Sequence, residues 1–218
     1  MSNEIAQPIN YRKLLTEFTV IVVGVFVAVA AESWWSDREE RQFEAELRED
    51  MVTEFQSNID ILRSDLAQNG PINKEINTFA DLSDTELLNL TDDHLNEHYS
   101  EFINWAGFDP VMGNVQAIVD SGKLSVISDR KLRLLLSRWS GLLTTGRRYV
   151  LQTVQFQFVI LEPVRSDIRS DLIWTDIERR KLQGSYEAMV ILHGTVIRNQ
   201  NELLDVADEI SEYLSTSE

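Results

Sequence analysis

The sequence has no cysteine among its 218 residues. Disulfides, thiolate metal sites and a cysteine nucleophile are therefore excluded, while both reducing and oxidising compartments stay open. Proline (4) and glycine (9) are scarce, so few breakers interrupt helices. Positive charge is also short: 20 Lys and Arg stand against 36 Asp and Glu, a formal net charge of −16. Such a surface repels phosphate backbones and anionic headgroups, and nucleic acid is not an expected partner. No phosphate-cradling glycine loop, nucleophile elbow or calcium loop occurs, and there is no internal repeat, low-complexity tract or long linker. What is present is a chain with 43% hydrophobic and 26% charged residues, the balance of a folded protein and not of a disordered one.

The longest uncharged run is Phe18 to Ala31, FTVIVVGVFVAVAA. Extended from Leu14 to Trp35, the segment would measure about 33 Å as a helix, close to the hydrocarbon thickness of a bilayer. Tyr11 at one end and Trp34-Trp35 at the other occupy positions where amphipathic aromatics favour the headgroup layer. Glu17 and Glu32 lie near the ends, where a carboxylate can reach water. The segment is expected to be a transmembrane helix. A cleaved signal peptide is the main alternative, with Arg12 and Lys13 as its basic start and Ala28-Val29-Ala30 as a cleavage site. Glu17, which interrupts the start of the run, and two tryptophans after it argue against cleavage. A buried core helix of a soluble protein fits less well, because the run is apolar on every face.

Arg12 and Lys13 abut the membrane on one side, while Arg38, Arg41 and Arg48 follow on the other, so a strict count does not set the orientation. Long domains translocate largely regardless of charge, and the expectation is a cytoplasmic N-terminus with a periplasmic C-terminal domain. Glu17, Ile21, Gly24, Ala28 and Ala31 recur at spacings of four and three, with Gly24 and Ala28 as a small-xxx-small pair. That face is expected to self-associate.

Beyond Trp35 the helical pattern continues. Phe43, Leu47, Met51, Phe55, Ile59, Leu62 and Leu66 form an apolar stripe that Asn69-Gly70-Pro71 is expected to end. A shorter helix is expected over 72–82, and Ser83 to Glu86 fits a capping box before Leu87. Thr91 or Asp92 can cap the next helix, to about Trp105, before a loop over 106–110. A helix over 111–120, an extended segment over 123–127, and a long helix capped by Ser128 and running to about Leu161 complete the middle of the chain. A mixed helix over 166–182 and a last helix over 185–214 follow. The fold class expected is all-α: a tail over 1–13, a transmembrane helix over 14–35, and a bundle over 36–218 built on long helices near 36–68, 129–161 and 185–214.

Tyr11-Arg12-Lys13-Leu14-Leu15, then Glu17 and Val20-Ile21-Val22-Val23-Gly24-Val25 with Trp34-Trp35 soon after, resemble the start of a widespread family of uncharacterised bacterial single-pass inner-membrane proteins. Val119-Asp120-Ser121-Gly122-Lys123-Leu124, then Ile127-Ser128-Asp129 and Leu132-Arg133, resemble the central segment of the same family. The doubled tryptophan departs from a single one. The resemblance implies an uncleaved anchor and a helical domain. It implies no activity, and it carries over no functional residue.

His94-Leu95-Asn96-Glu97-His98 fits H-x-x-E-H, the inverted zincin pattern. On a helix His94 and His98 share a face and could bind zinc with Glu97 as general base, but no third ligand is identifiable. Two surface histidines on a charged helix is the plainer reading. His193, one turn from Met189 and Val190, reads as a core histidine. Arg147-Arg148 and Arg179-Arg180-Lys181 read as partners in bundle salt bridges, with an acidic partner as the alternative. Trp139, Tyr149 and Phe156 read as core. No catalytic residue and no cofactor is expected. The function expected is a membrane-tethered interaction scaffold or accessory subunit, partnered by the bilayer and by itself or another membrane protein. A ligand-sensing domain that signals through a partner, and a zinc-dependent hydrolase at His94, Glu97 and His98, are the alternatives.

Overall fold

The structure, a computed structural model, describes residues 11–102, 104–111, 113–122, 124–161 and 174–216. Among the described residues there are six α-helices: α1 (Tyr11–Ala80), α2 (Asp84–Asn89), α3 (Asp92–Phe102), α4 (Asn114–Asp120), α5 (Arg130–Phe156) and α6 (Asp176–Thr216). A 3-10 turn, Leu124–Val126, precedes α5, and a π-turn, Gln157–Leu161, follows it. The protein is all-α, with no strand among the described residues.

Two compact units divide at Leu47/Arg48. The first contains the apolar span, whose large side chains from Leu15 to Trp35 are exposed. The second, Arg48–Glu218, is the helical bundle. It starts later than the expected residue 36 because residues 36–46 bury no side chain, whereas Met51, Phe55, Ile59 and Leu62 are buried almost completely.

Within the bundle unit, three helices run side by side. Arg63 pairs with Asp208, Asn69 with Gln200 and Phe79 with Tyr186, so the bundle part of α1 and α6 are antiparallel. Asp129 meets Tyr213 and Leu142 meets Asn199, so α5 also opposes α6. The chain must therefore return along α1 before α5 begins. Residues 104–111 make that return as an extended strap, and α4 leads from it toward α5.

Several boundaries differ from the sequence reading. The expected stop at Asn69-Gly70-Pro71 does not occur, and α1 continues to Ala80 with Pro71 inside it. Pro71 removes one helix hydrogen bond, but Asn69 is buried in a polar network and Ile76 and Phe79 extend the apolar stripe into a second core cluster. That cluster joins Leu87, Leu95, Trp174, Leu182, Tyr186 and Met189. α3 ends at Phe102, short of Trp105, and α4 starts at Asn114 and not at 111. The segment expected to be extended is the 3-10 turn, because one short strand has no partner to pair with.

Asp129, not Ser128, caps α5: its carboxylate accepts from the N–H groups of Lys131 and Leu132. The Tyr213 hydroxyl, followed by these N–H groups, holds that carboxyl below its ordinary range. The last helix starts at Asp176, nine residues ahead of Ser185, because Thr175 and Glu178 form a reciprocal cap. Residues 166–173 of the mixed helix lie outside the described residues, and its part from Asp176 on belongs to α6. The capping box expected at Ser83 and Glu86 is present as read.

Candidate functional site

Four places have the makings of a site. The first is the apolar span. Ile21 is 64% exposed, Gly24 has open space where a side chain would begin, and Glu17, Ala28 and Ala31 are exposed beside them. All five residues of the expected association face are therefore accessible in a single chain. The one hydroxyl described well inside the run, on Thr19, donates to the Leu15 carbonyl at 2.8 Å, which satisfies it without water. At the far end the Trp35 indole N–H donates to Glu39 and the Arg38 guanidinium lies 5.9 Å from the Trp34 ring centre. Those contacts set amphipathic aromatics where the apolar run meets charged sequence.

The second is the histidine pair on α3. His94 is exposed. Its backbone N–H is capped by Thr91 Oγ1, and its Nδ1 is 3.1 Å from the same oxygen. His98 is half-buried: its ring lies 5.1 Å from the Phe79 ring, and its Nδ1 lies 2.6 Å from Glu75 Oε1. That distance suits an ion pair, although the angles are not those of a hydrogen bond. The two rings thus take different partners, and among the described residues no group of three metal-ligating side chains converges.

The third is the polar seam between α1 and the strap. Asn69 donates to the Ala106 carbonyl at 2.7 Å and accepts from the Ala106 N–H at 2.8 Å. Asn58 holds Val111 in the same two-point way, at 3.2 and 2.8 Å. Gln68 donates to the Asn104 carbonyl and Glu54 accepts from the Val115 N–H. Gln200 of α6 closes the arrangement, accepting from Asn69 and donating to Ala106. Buried amides so fully paired fix one register and leave no costly orphan.

His193 sits next to this seam, fully buried. Its Nδ1 is 3.3 Å from Asn73 Oδ1, its ring stands edge-on to Trp105 at 5.8 Å, and its Nε2 has no hydrogen-bond partner. Burial pushes the imidazole down to about 4. It is the core histidine that its spacing suggested. Burial also pushes up the carboxyl of Asp65, whose Oδ2 is likewise orphaned.

The fourth is a small cleft between the strap, α5 and α6. Its walls include Phe108, Pro110, Val150 and Leu203, with Arg147 and Asn199 as polar lining. Of the basic clusters, Arg179 and Arg180 do make bundle contacts. Arg180 pairs with Asp84, and the buried Arg179 serves Asp92 and the carbonyls of Leu87, Leu90 and Trp174.

The sequence reading missed Glu54, Asn58, Asn69, Gln200 and Arg179. A signal existed for those on α1: Glu54, Asn58, Asp65, Asn69 and Asn73 fall within the apolar face and not opposite it. Polar residues repeated on a buried stripe require partners, and here most of the partners are strap backbone. Compared with protein families, curated proteins and solved structures, the chain matches none.

Proposed function

We propose that the chain is a non-enzymatic, single-pass membrane protein whose helical bundle serves as an interaction scaffold or accessory subunit. The observation that carries this reading is the apolar span: an 18-residue window of α1 is long and apolar enough to cross a membrane, and none of it is buried by the rest of the chain. Exposed apolar surface on that scale needs lipid or another apolar helix to cover it. The sequence resemblance supports a bacterial inner membrane, and the tendency of long domains to translocate regardless of charge supports a periplasmic bundle. The face of Glu17, Ile21, Gly24, Ala28 and Ala31 makes the lateral contact, with a second copy or another membrane helix. The bundle supports this role because the buried amides of Asn58, Asn69 and Gln200 are spent on internal contacts, as in a rigid platform. A second reading, a ligand-sensing domain that signals through a partner helix, draws on the cleft beside Arg147.

Membrane fractionation with carbonate washing, followed by protease access to intact spheroplasts, tests the tether and its orientation. The chain should stay in the carbonate-resistant membrane, and its bundle should be cleaved from outside. Release of the full-length chain into the soluble fraction would sink the proposal.

A further inference from the structure

α5 is basic in an acidic chain. It carries six cations and no Asp or Glu, against 20 cations and 36 acids in the whole sequence. Two of the six are used inside the bundle: Lys131 pairs with Glu209, and Arg133 donates to the carbonyls of Ile127 and Ser128. Arg130, Arg138, Arg147 and Arg148 are exposed, and their side chains have no ion pair or hydrogen bond among the described residues. The bundle salt bridges expected of Arg147-Arg148 are therefore not made there. The outward face of the same helix is apolar towards its ends and hollow in the middle. Leu134 and Leu151 are 62% and 60% exposed, and Phe158, in the π-turn beyond, is 64% exposed. Ser137, Gly141 and Thr144 lie between the two leucines and are exposed too. From Arg130 through Leu134 to Arg148 and Leu151, these positions alternate at spacings of four and three, the seam along which one helix lies on another. Arg138 and Arg147 flank that seam on its two sides. Glycine inside a helix is destabilising relative to alanine. No contact within the chain requires it at Gly141, where nothing lies within 4 Å of the place a side chain would begin.

Exposed leucines on either side of a trough of small residues fit the ridge of a second helix, whose side chains drop into the trough. Four unpaired guanidiniums around the trough favour carboxylates on that helix, which they can engage in charge-assisted hydrogen bonds. The same seam of a second copy offers none: α5 has no Asp or Glu, so two α5 seams laid together would leave every one of these arginines unanswered. An anionic lipid surface is planar. It would engage the arginines and the apolar tips but gain nothing from the trough. We propose that the outward face of α5 docks an acidic amphipathic helix of another protein, its apolar seam on Leu134, Gly141 and Leu151 and its Asp and Glu side chains on the four arginines. This names a partner for the bundle and so rests on the scaffold reading. The face lies wholly within the Arg48–Glu218 unit, so its failure would leave the membrane tether standing.

The test is fluorescence anisotropy of a labelled helical peptide of four heptads, with a leucine and alanine seam flanked by Glu, titrated with the full chain in zwitterionic nanodiscs. A peptide with Lys in place of each Glu is its counterpart. The Glu peptide should bind saturably and the Lys peptide should not. Gly141→Leu should weaken the Glu peptide about tenfold or more, the scale of overfilling a packed contact. Arg148→Glu should weaken it too and should admit the Lys peptide. Gly184→Leu, at an equally open and exposed glycine of α6, should leave binding unchanged. Circular dichroism of the variants guards against misfolding as the cause. No saturable binding, equal binding of the two peptides, or equal loss in the two glycine variants would overturn the proposal. Co-sedimentation with phosphatidylglycerol vesicles in the absence of peptide binding would overturn it in favour of a lipid surface. Self-association of the chain that Gly141→Leu abolishes would overturn it in favour of a second copy.

Discussion

Asn58 and Asn69 lie eleven residues apart on one side of α1, and the strap residues they hold, Val111 and Ala106, lie five apart in the opposite direction. Eleven helical residues rise about 16.5 Å, and five fully extended residues span about the same. The strap must therefore be nearly straight to reach both asparagines. On the strap each amide reads only main-chain N–H and C=O, so register is set by spacing and not by strap side chains.

Asn69→Asp keeps the shape of that side chain but removes its N–H donors. The Ala106 carbonyl and Gln200 Oε1 each lose a bond, and a carboxylate is left buried. The loss should be about 2 kcal/mol or more, because buried partners left unpaired cost more than a bond is worth. Chemical denaturation followed by circular dichroism should show a lower midpoint, and hydrogen exchange should show lost protection at Ala106. Wild-type protection at Ala106 would mean that the strap is held by something else.

His193 makes stability depend on pH in a defined direction. Its imidazole is neutral in the fold, with a value of about 4, against 6.5 in the unfolded chain. Above pH 6.5 both states are neutral and the stability is intact. As pH falls from 6.5 towards 4, only the unfolded chain takes up the proton, and stability drops by about 3 kcal/mol from this group. His193→Gln should flatten that part of the profile. Melting temperatures at pH 7 and pH 5 for the two proteins measure it, and equal slopes would remove His193 as the cause.

Arg179 is buried and anchors the end of α2 and the start of α3 to α6. Arg179→Met would strip hydrogen bonds from three carbonyls and leave Asp92 without its cation. Stability should fall by about 3 kcal/mol, the scale for breaking a buried charged pair. Arg179→Lys should recover little, since an ammonium cannot span acceptors on separate elements. Hydrogen exchange should locate the loss at residues 84–96, and protection there equal to wild type would contradict the assignment.

Pro71 works against the helix that contains it. It leaves the Ala67 carbonyl without its usual N–H, and its ring crowds that carbonyl. Pro71 is exposed, so Pro71→Ala should raise stability by about 1–3 kcal/mol. A lower melting temperature would mean that a bend at this point is needed for the second core cluster.

Leucine at both Gly24 and Ala28 would fill the open side of the span. Self-association in a membrane two-hybrid assay should fall severalfold with insertion unchanged. An unchanged signal would place the contact on another face.

How much was legible follows from the range of each interaction. Local signals read correctly: the apolar span, the Ser83–Glu86 box, α5 with the π-turn that carries it on to Leu161, and the core placement of His193. The Thr175–Glu178 cap is equally local, since Thr-x-x-Glu is the spacing of a capping box. Gly70-Pro71 misled because a breaker's cost of a few kcal/mol was outweighed by burial of Ile76 and Phe79, which depends on Tyr186 far along the chain.

The sequence by itself determined that this protein is helical, that one segment is apolar on every face, and that its bundle helices carry core stripes. Periodicity and composition act over a few turns, so no partner need be known to read them. Only the tertiary structure decided that α1 and α5 both oppose α6, that residues 104–111 lie straight along α1, and that Arg179 ties α2 and α3 to α6. Those outcomes rest on amides and a guanidinium meeting backbone or side chains dozens of residues away, and no local pattern encodes which distant group each will find.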